Sequence, residues 1–322
     1  MKTPEFWYES PSVMSKILSP ISCIYLMGSK IKQKFSSPKK VDLIVISVGN
    51  LVAGGAGKTP IAMAISSLFS DKEVAFLTRG YGGTVIGPTL VDRSKDKAEK
   101  VGDEALLLAK HAPTWVSKDR YAGAIAAYNN GINIIIMDDG HQNHSLIKDI
   151  SIVVVDGYHG FGNEKIIPSG PLRENIKSGL DKADAVVLIG EDKNKISEFF
   201  RPNCPLINAR LVPTEDSEAL KKNRVIALAG IGYPNKFFNT LKEMGCNIVD
   251  EYAFGDHHRY KISEIRKIHD KALELDAILV TTEKDWLRLP DEVKTLVKKV
   301  PVKIEWQDEK KIRKFLKLRI TK

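Results

Sequence analysis

Eight consecutive residues, Val52-Ala53-Gly54-Gly55-Ala56-Gly57-Lys58-Thr59, have the types and order needed to cradle a chain of phosphates. Glycines let successive backbone N–H groups turn inward, and a following helix presents its positive end. Lys58 then reaches the outer phosphates and Thr59 offers a hydroxyl to Mg²⁺. The apolar run Val41–Val48 enters this loop and a helix opens near Pro60, so strand, turn and helix occur in the required order. The general pattern has glycine where this chain has Val52. Asp138-Asp139-Gly140 closes the apolar run Ile132–Met137. A carboxylate at a strand tip is the usual second half of a phosphate-loop site, holding Mg²⁺ directly or through water. The second aspartate exceeds what one metal needs and is free to orient a hydroxyl or a base. A strand-end cap is the plainer use of short carboxylates.

Gly102-Asp103-Glu104 precedes a helix through Lys110, which leaves two roles open for Asp103: N-cap, or base near an attacking alcohol oxygen. Arginines recur at expected strand ends and loops, in Thr78-Arg79-Gly80-Tyr81, Asp119-Arg120-Tyr121 and Gly170-Pro171-Leu172-Arg173-Glu174. A guanidinium fork suits phosphate oxygens, although any one of them is more often a surface ion pair. Phe254-Gly255-Asp256-His257-His258-Arg259-Tyr260 raises zinc, but lacks i, i+4 histidine spacing and a neighbouring cysteine. A histidine paired with a carboxylate across a cleft is the preferred reading. Thr281-Thr282-Glu283-Lys284-Asp285 ends another strand and is not the Asn-Lys-x-Asp arrangement of guanine recognition, which weighs against a GTPase.

These groups need a scaffold that delivers strand ends to one edge. Seven apolar runs read as strands buried on both faces: Leu43–Val48, Val74–Thr78, Ile132–Met137, Ile152–Val155, Ala185–Ile189, Val225–Ala229 and Ala277–Val280. Helical stretches lie between them, including Ile61–Phe69, Asp103–Lys110, Ala122–Asn129 and Lys236–Met244. The alternation predicts a doubly wound parallel α/β sheet with function at the carboxyl ends of its strands. Pro202–Asn223 reads as a connection, after which the pattern restarts. The expected organisation is an amino-terminal amphipathic region 1–35, a phosphate-loop domain 36–212, a linker 213–223 and a smaller α/β domain 224–322.

The chain has 322 residues and a net charge of +9, with seven lysines against Glu5 and Glu9 in its first forty residues. Such charge suits nucleic acid, anionic lipid or a phosphorylated substrate. Phe6-Trp7-Tyr8, followed by Ile17, Leu18, Ile21, Ile24, Tyr25, Leu26 and Met27, favours lipid over nucleic acid. This stripe contains Pro20 and is too short to span a bilayer, which takes ~20 apolar residues. Neither is it a signal peptide. A helix lying in the interface and a core-packing helix both fit it. The basic tail from Val293 reads as a solvated helix face. Cys23, Cys204 and Cys246, far apart and odd in number, fit a reducing compartment.

The set of motifs, in order and spacing, resembles the tetraacyldisaccharide 4′-kinases, the lipid A 4′-kinases of bacteria with an outer membrane. The resemblance runs over nearly the whole chain: Phe6-Trp7-Tyr8, Ser47–Leu51 with the glycine loop, Thr78–Tyr81, Gly102–Glu104, Asp119–Tyr121, Asp138–Gly140, Gly170–Glu174, Asp256-His257 and Thr282–Asp285. The family also lacks the first glycine, at Val52. It implies a P-loop NTPase-like fold and transfer of the ATP γ-phosphate, with Mg²⁺, to the 4′-hydroxyl of a tetraacylated glucosamine disaccharide 1-phosphate. By the same resemblance, Val52–Thr59 hold nucleotide, with Lys58 also catalytic, and Thr59, Glu104, Asp138 and Asp139 organise metal. Asp103 is the implied base and His257 its partner, while Arg79, Tyr81, Arg120, Gln142 and Arg173 line the acceptor or phosphate side. One departure is that Asn143 and then His144 follow Gln142, where some relatives have a histidine at once. The implied setting is a monomer at the cytoplasmic face of the inner membrane, peripheral or monotopic, acting on lipid and not on nucleic acid. Competing readings are a phosphate-loop NTPase driving an assembly step, a small-molecule or sugar kinase, and a nucleotide-binding scaffold with a basic face for nucleic acid.

Overall fold

The computed structural model describes residues 4–8, 12–69, 73–199 and 204–320. Residues 1–3 and 9–11 of the expected amino-terminal region, the start of the expected connection at 202–203 and the last two tail residues lie outside these.

Two sheets are present. The larger contains β1 (Ile44–Gly49), β2 (Val74–Thr78), β3 (Thr89–Leu90), β4 (Thr114–Val116), β5 (Ile134–Asp138), β6 (Ile150–Asp156), β7 (Ala185–Ile189), β8 (Leu206–Pro213) and β13 (Val302–Trp306), in the order β13-β8-β7-β6-β1-β5-β2-β4-β3. The strands from β8 to β4 run parallel, while β13 and β3 are antiparallel edges. The smaller sheet is parallel, ordered β10 (Asn247–Ala253), β9 (Arg224–Ala229), β11 (Ile278–Thr282) and β12 (Lys298–Val300).

Side chains alternate across the pleat and both faces of the large sheet are covered, which is why its central strands are continuously apolar. On one face Ile46, Val48, Ile134 and Ile136 pack with Ile61 and Ile65 of α2 (Lys58–Ser66) and with Ile312 and Leu316 of α10 (Glu309–Ile320). On the other, Val45, Ile135 and Met137 meet Ala124 and Ala127 of α5 (Arg120–Tyr128). Two short helices, α3 (Ala98–Val101) and α4 (Asp103–Leu108), precede β4, and α6 (Ile176–Leu180) precedes β7. Around the small sheet lie α7 (Pro234–Glu243), α8 (Ile262–Glu274) and α9 (Glu283–Arg288).

Two expectations change. The stretch read as a connection holds β8, whose outward Asn208 and Arg210 and flanking Pro205 and Pro213 hide its alternation. The smaller unit does not keep its carboxyl end, because β13 returns to pair with β8 and α10 covers the large sheet's core.

The apolar stripe divides: Trp7 and Tyr8 pack on the protein, Trp7 Nε1 donating to Pro168 O and Tyr8 lying against His159 and Tyr233, whereas most of the row on α1 (Val13–Lys34) does not. The helix turns serines inward: Ser15 Oγ donates to Ser169 O at 2.8 Å and Ser22 Oγ to Ile166 O at 2.8 Å. Most of its apolar residues face outward, with Ile17 64% and Ile24 69% exposed alongside Val13, Met14, Ile21, Met27 and Ile31, while Leu18 and Leu26 are half-buried. Among the described residues no helix is long and apolar enough to cross a membrane.

Candidate active site

Register brings the two halves of the phosphate site together: Val48 of β1 pairs with Asp138 of β5, so the loop after one strand opens beside the carboxylates ending the other. The loop turns through Gly54 at φ 118° and Gly57 at φ 87°, both in the left-handed region. A Cβ at Gly57 would lie 2.5 Å from Ile189 Cδ1, so bulk is excluded there as well as strain. Val52 is a packing residue. It is buried with Leu51, Phe161 and Leu172, and bridges to Leu172. Ala53 N donates to Pro171 O and Arg173 N to Leu51 O, both at 2.7 Å. The glycine loop and the segment 170–174 are thereby stitched together, which carries Arg173 to the site.

Thr59 Oγ1 donates to Asp138 Oδ2 at 2.8 Å, while the buried Asp138 Oδ1 has no protein partner. Burial, then the charge of Glu104, raises the Asp138 carboxyl above its ordinary range, with Lys58 and Thr59 opposing. Asp139 takes the opposite course. Against burial, Lys58 at 3.6 Å and Arg173 Nη1, bonded to Oδ1 and Oδ2 at 2.8 and 3.0 Å, hold it well below that range. Gln142 Nε2 donates to Asn50 O and to Glu174 Oε1, and Gln142 Oε1 lies 3.4 Å from Arg173 Nη1. Arg120 is buried with Nη1 on Ser117 O, while its Nε has no partner. Burial and then the like charge of Arg79, exposed at the end of β2, oppose its charge, whereas Asp139 and Asp138 favour it.

Asp103 faces this wall from α4. Gly102 is the N-cap, at φ 90°, and Asp103 is the first helical residue, 2% exposed, with Oδ1 accepting from Glu104 N at 2.9 Å. The N-cap is therefore Gly102 and not Asp103, which stands one position inside the helix. Its Oδ2 lies 3.2 Å from His257 Nδ1 and 3.0 Å from Arg288 Nε, off the hydrogen-bonding direction in each case. Burial opposes ionisation, yet Lys284, His257 and Arg288 hold the carboxyl well below its ordinary range. His257 adopts φ 56° in the loop after β10, and its ring centre lies 4.8 Å from that of the exposed Tyr81. Glu104 is paired with Lys284 at 3.0 Å.

The loop after β9 closes the cleft. A Cβ at Gly232 would come within 3.1 Å of Gly55 N, so the small sheet's backbone rests on the phosphate loop.

The structure brings Lys58, Thr59, Asp138, Asp139, Gln142 and Arg173 together beside the glycine loop, and Asp103, Glu104, Tyr81 and His257 around the start of α4, while Arg79 and Arg120 lie near each other by the end of β2. Of the four oxygen-bearing residues expected near a metal, Thr59 and Asp138 are bonded to each other with Asp138 Oδ1 unpartnered, whereas Asp139 and Glu104 are paired with cationic side chains. His258 pairs with Glu264 at 3.2 Å, and no group of three His, Cys, Asp or Glu suited to a metal exists among the described residues. Mg²⁺ at phosphate sites takes one or two carboxylates and substrate oxygens, so an all-protein cage is not its signature. Sequence reasoning missed Arg288, Glu174 as a partner of Gln142, and buried His141 beneath the loop. Their signal was weak: Arg288 lies three residues beyond the Thr282–Asp285 motif, on the same helix turn as Asp285.

The family profile described as tetraacyldisaccharide-1-P 4′-kinase, LpxK, matches residues 14–321. The tetraacyldisaccharide 4′-kinase of Rhodospirillum centenum is 43% identical over 315 residues, covering 96% of this chain and 94% of the relative. That of Paramagnetospirillum magneticum is 44% identical over 309 residues, covering 95% of each. The structure of LpxK from Aquifex aeolicus in complex with ATP superposes with a TM-score of 0.76 at 28% identity, over 95% of this chain and 99% of that one. A phosphate cradle facing a buried carboxylate–imidazole pair, on a chain alike from end to end, places this protein in the tetraacyldisaccharide 4′-kinase family.

Proposed function

We propose that this protein transfers the γ-phosphate of ATP to the 4′-hydroxyl of a tetraacylated glucosamine disaccharide 1-phosphate, a late step of lipid A assembly. The observation that carries the proposal is the presence of two neighbouring half-sites: Lys58, Thr59 and Asp138 beside the glycine loop, and the Asp103–His257 pair at 3.2 Å, with Glu104 beside Asp103 near enough to act on Asp138. A hydrolase needs the first half. An alcohol acceptor calls for the second.

The backbone amides of Gly54–Gly57 and the start of α2 suit phosphate oxygens, and Lys58 Nζ reaches the outer phosphates. The hard oxygen donors Thr59 Oγ1 and Asp138 fit Mg²⁺, and the unpartnered Asp138 Oδ1 offers it a lone pair. A Mg²⁺ ion held by Thr59 and Asp138 would offset negative charge on the nucleotide's phosphates. Arg173 and Arg120 stand where developing charge on the transferred group needs donors. Asp103 Oδ2, off-axis from its neighbours, accepts the 4′-hydroxyl hydrogen and aims the oxygen. In a loose phosphoryl transition state the proton leaves late, so aim counts for more than basicity. His257 and Tyr81 shape the acceptor side.

Acyl chains keep the acceptor in a bilayer. The outward apolar row of α1, with Lys16, Lys30 and Lys34 beside it, suits an interfacial helix that holds the cleft at the head-group level. We place the protein peripherally at the cytoplasmic membrane face, where ATP is available.

The deciding assay follows labelled ATP with lipid acceptor in mixed micelles. Label should appear on the lipid; label found only as free phosphate would return the protein to the NTPase reading.

A further inference from the structure

The helix α9 holds no phosphate and no acceptor, yet its charges converge on the start and end of α4. Glu283 pairs with Lys110 at 2.6 Å, Lys284 with Glu104 at 3.0 Å, and Arg288 Nε with Asp103 Oδ2 at 3.0 Å. Arg288 is itself held from two directions: Nη1 donates to Gly230 O at 3.0 Å, and Nη2 forms an ion pair with Asp285 Oδ1 at 2.8 Å, off the hydrogen-bonding direction. Asp285 is fully buried and anchored by Thr282 Oγ1, Gly230 N and the Tyr260 hydroxyl at 2.6, 3.1 and 2.8 Å. A chain of fixed groups, Tyr260–Asp285–Arg288–Asp103, thus runs from the core of the small sheet to the cleft.

Buried ion pairs are poor stabilisers, because desolvation consumes most of their attraction. Docking of α9 does not need this one, since Leu287 packs into two apolar clusters of the large unit and Lys97 pairs with Asp291 nearby. What the chain fixes is the direction of one oxygen.

We propose that Arg288 is a positioning residue: held by Asp285, its guanidinium sets the orientation of the Asp103 carboxylate toward the acceptor hydroxyl and ties that orientation to the docked small sheet. The other charges facing Asp103 are His257 and Lys284, with Glu104 and Asp256 as neighbouring acids. They act on its charge, and His257 is itself contacted by Asp256 at 3.8 Å, whereas Arg288 is tied through Asp285 to the core of the small sheet. The proposal rests on the reading of Asp103 as acceptor of the hydroxyl hydrogen.

The test compares full-length Arg288→Gln, Arg288→Lys, Asp103→Asn and the Arg288→Gln/Asp103→Asn double variant in the lipid kinase assay. Arg288→Gln should lower kcat by about 10²-fold, the scale of a misplaced catalytic group, and leave KM for ATP unchanged. Arg288→Lys, which keeps the charge but not the fork, should recover part of the loss. The double variant should be no slower than Asp103→Asn, because both changes remove one function. Losses that multiply in the double variant, or wild-type kcat in Arg288→Gln, would overturn the proposal. If Arg288→Gln does not fold, Asp285→Asn releases the same brace with Arg288 in place and should show the same drop and the same non-additivity. An active Asp103→Asn would instead overturn the role of Asp103. An inactive Asp103→Asn beside a fully active Arg288→Gln would overturn Arg288 alone.

Discussion

Asp103 and Asp138 are both buried carboxylates, and their surroundings push them in opposite directions. Cations from another part of the chain hold Asp103 ionised, whereas burial and a neighbouring acid work against ionisation of Asp138. Under the proposed mechanism that divergence suits the two carboxylates to different tasks, Asp103 to aiming the hydroxyl and Asp138 to holding a cation. Asp103→Ala should lower turnover by about 10²–10⁴-fold, the usual share of a positioned base, with ATP binding by calorimetry nearly unchanged. Asp138→Asn carries a sign of its own. A carboxyl whose folded pKa lies above its unfolded value costs stability at neutral pH. The neutral amide should therefore raise Tm in metal-free buffer while turnover falls by orders of magnitude; a lower Tm would contradict the burial argument. The sequence named Asp103, Asp138 and Asp139 but left their roles open, since adjacent aspartates are chemically identical until their neighbours are known.

Among elements, the strands with continuous apolar runs were legible and the half-buried ones were not. Val74–Thr78 and Ala185–Ile189 stand as expected because each is buried on both faces. The strands β8, β10 and β13 mix polar with apolar residues and lie at or near sheet edges, and β10 also shifts register between Ile248 and Asp250, so a continuous apolar run did not mark them. The helix α1 presents a different problem. Its stripe was visible, but whether it faced inward depended on which surface offered partners to Ser15 and Ser22. Replacing Ile17, Ile21 and Ile24 together with serine should abolish sedimentation with anionic vesicles and leave Tm within about 1 °C, exposed sites contributing little to stability. A drop of many degrees would show that the row packs against protein.

The whole molecule is latched across its two sheets by charges as well as by packing. Lys236 of α7 bonds to Asp156 at the end of β6, and Arg288 of α9 faces Asp103 of α4. Against burial, His159 and Lys236 hold Asp156 below its ordinary range, as Lys284, His257 and Arg288 do for Asp103. For a carboxylate depressed in the folded state, stability is fully present above the unfolded pKa and is lost as pH falls through the folded value. Unfolding by denaturant should therefore show a plateau above roughly pH 5 and a steady loss below ~4, the unperturbed Asp value. A flat profile down to pH 3 would contradict the latch.

By itself the sequence determined the phosphate loop, the α/β class, the strand-end carboxylates and the family, because backbone freedom at glycine, apolar periodicity and motif spacing are local properties. Only the tertiary structure decided that the Val52 side chain packs with Leu51, Phe161 and Leu172, that β13 and α10 return to the large sheet, and that α1 shows most of its apolar face outward. It also decided that Arg288 reaches Asp103. Each of these depends on which distant segment arrives beside a residue, and a side chain's charge, exposure and direction are set by that neighbour.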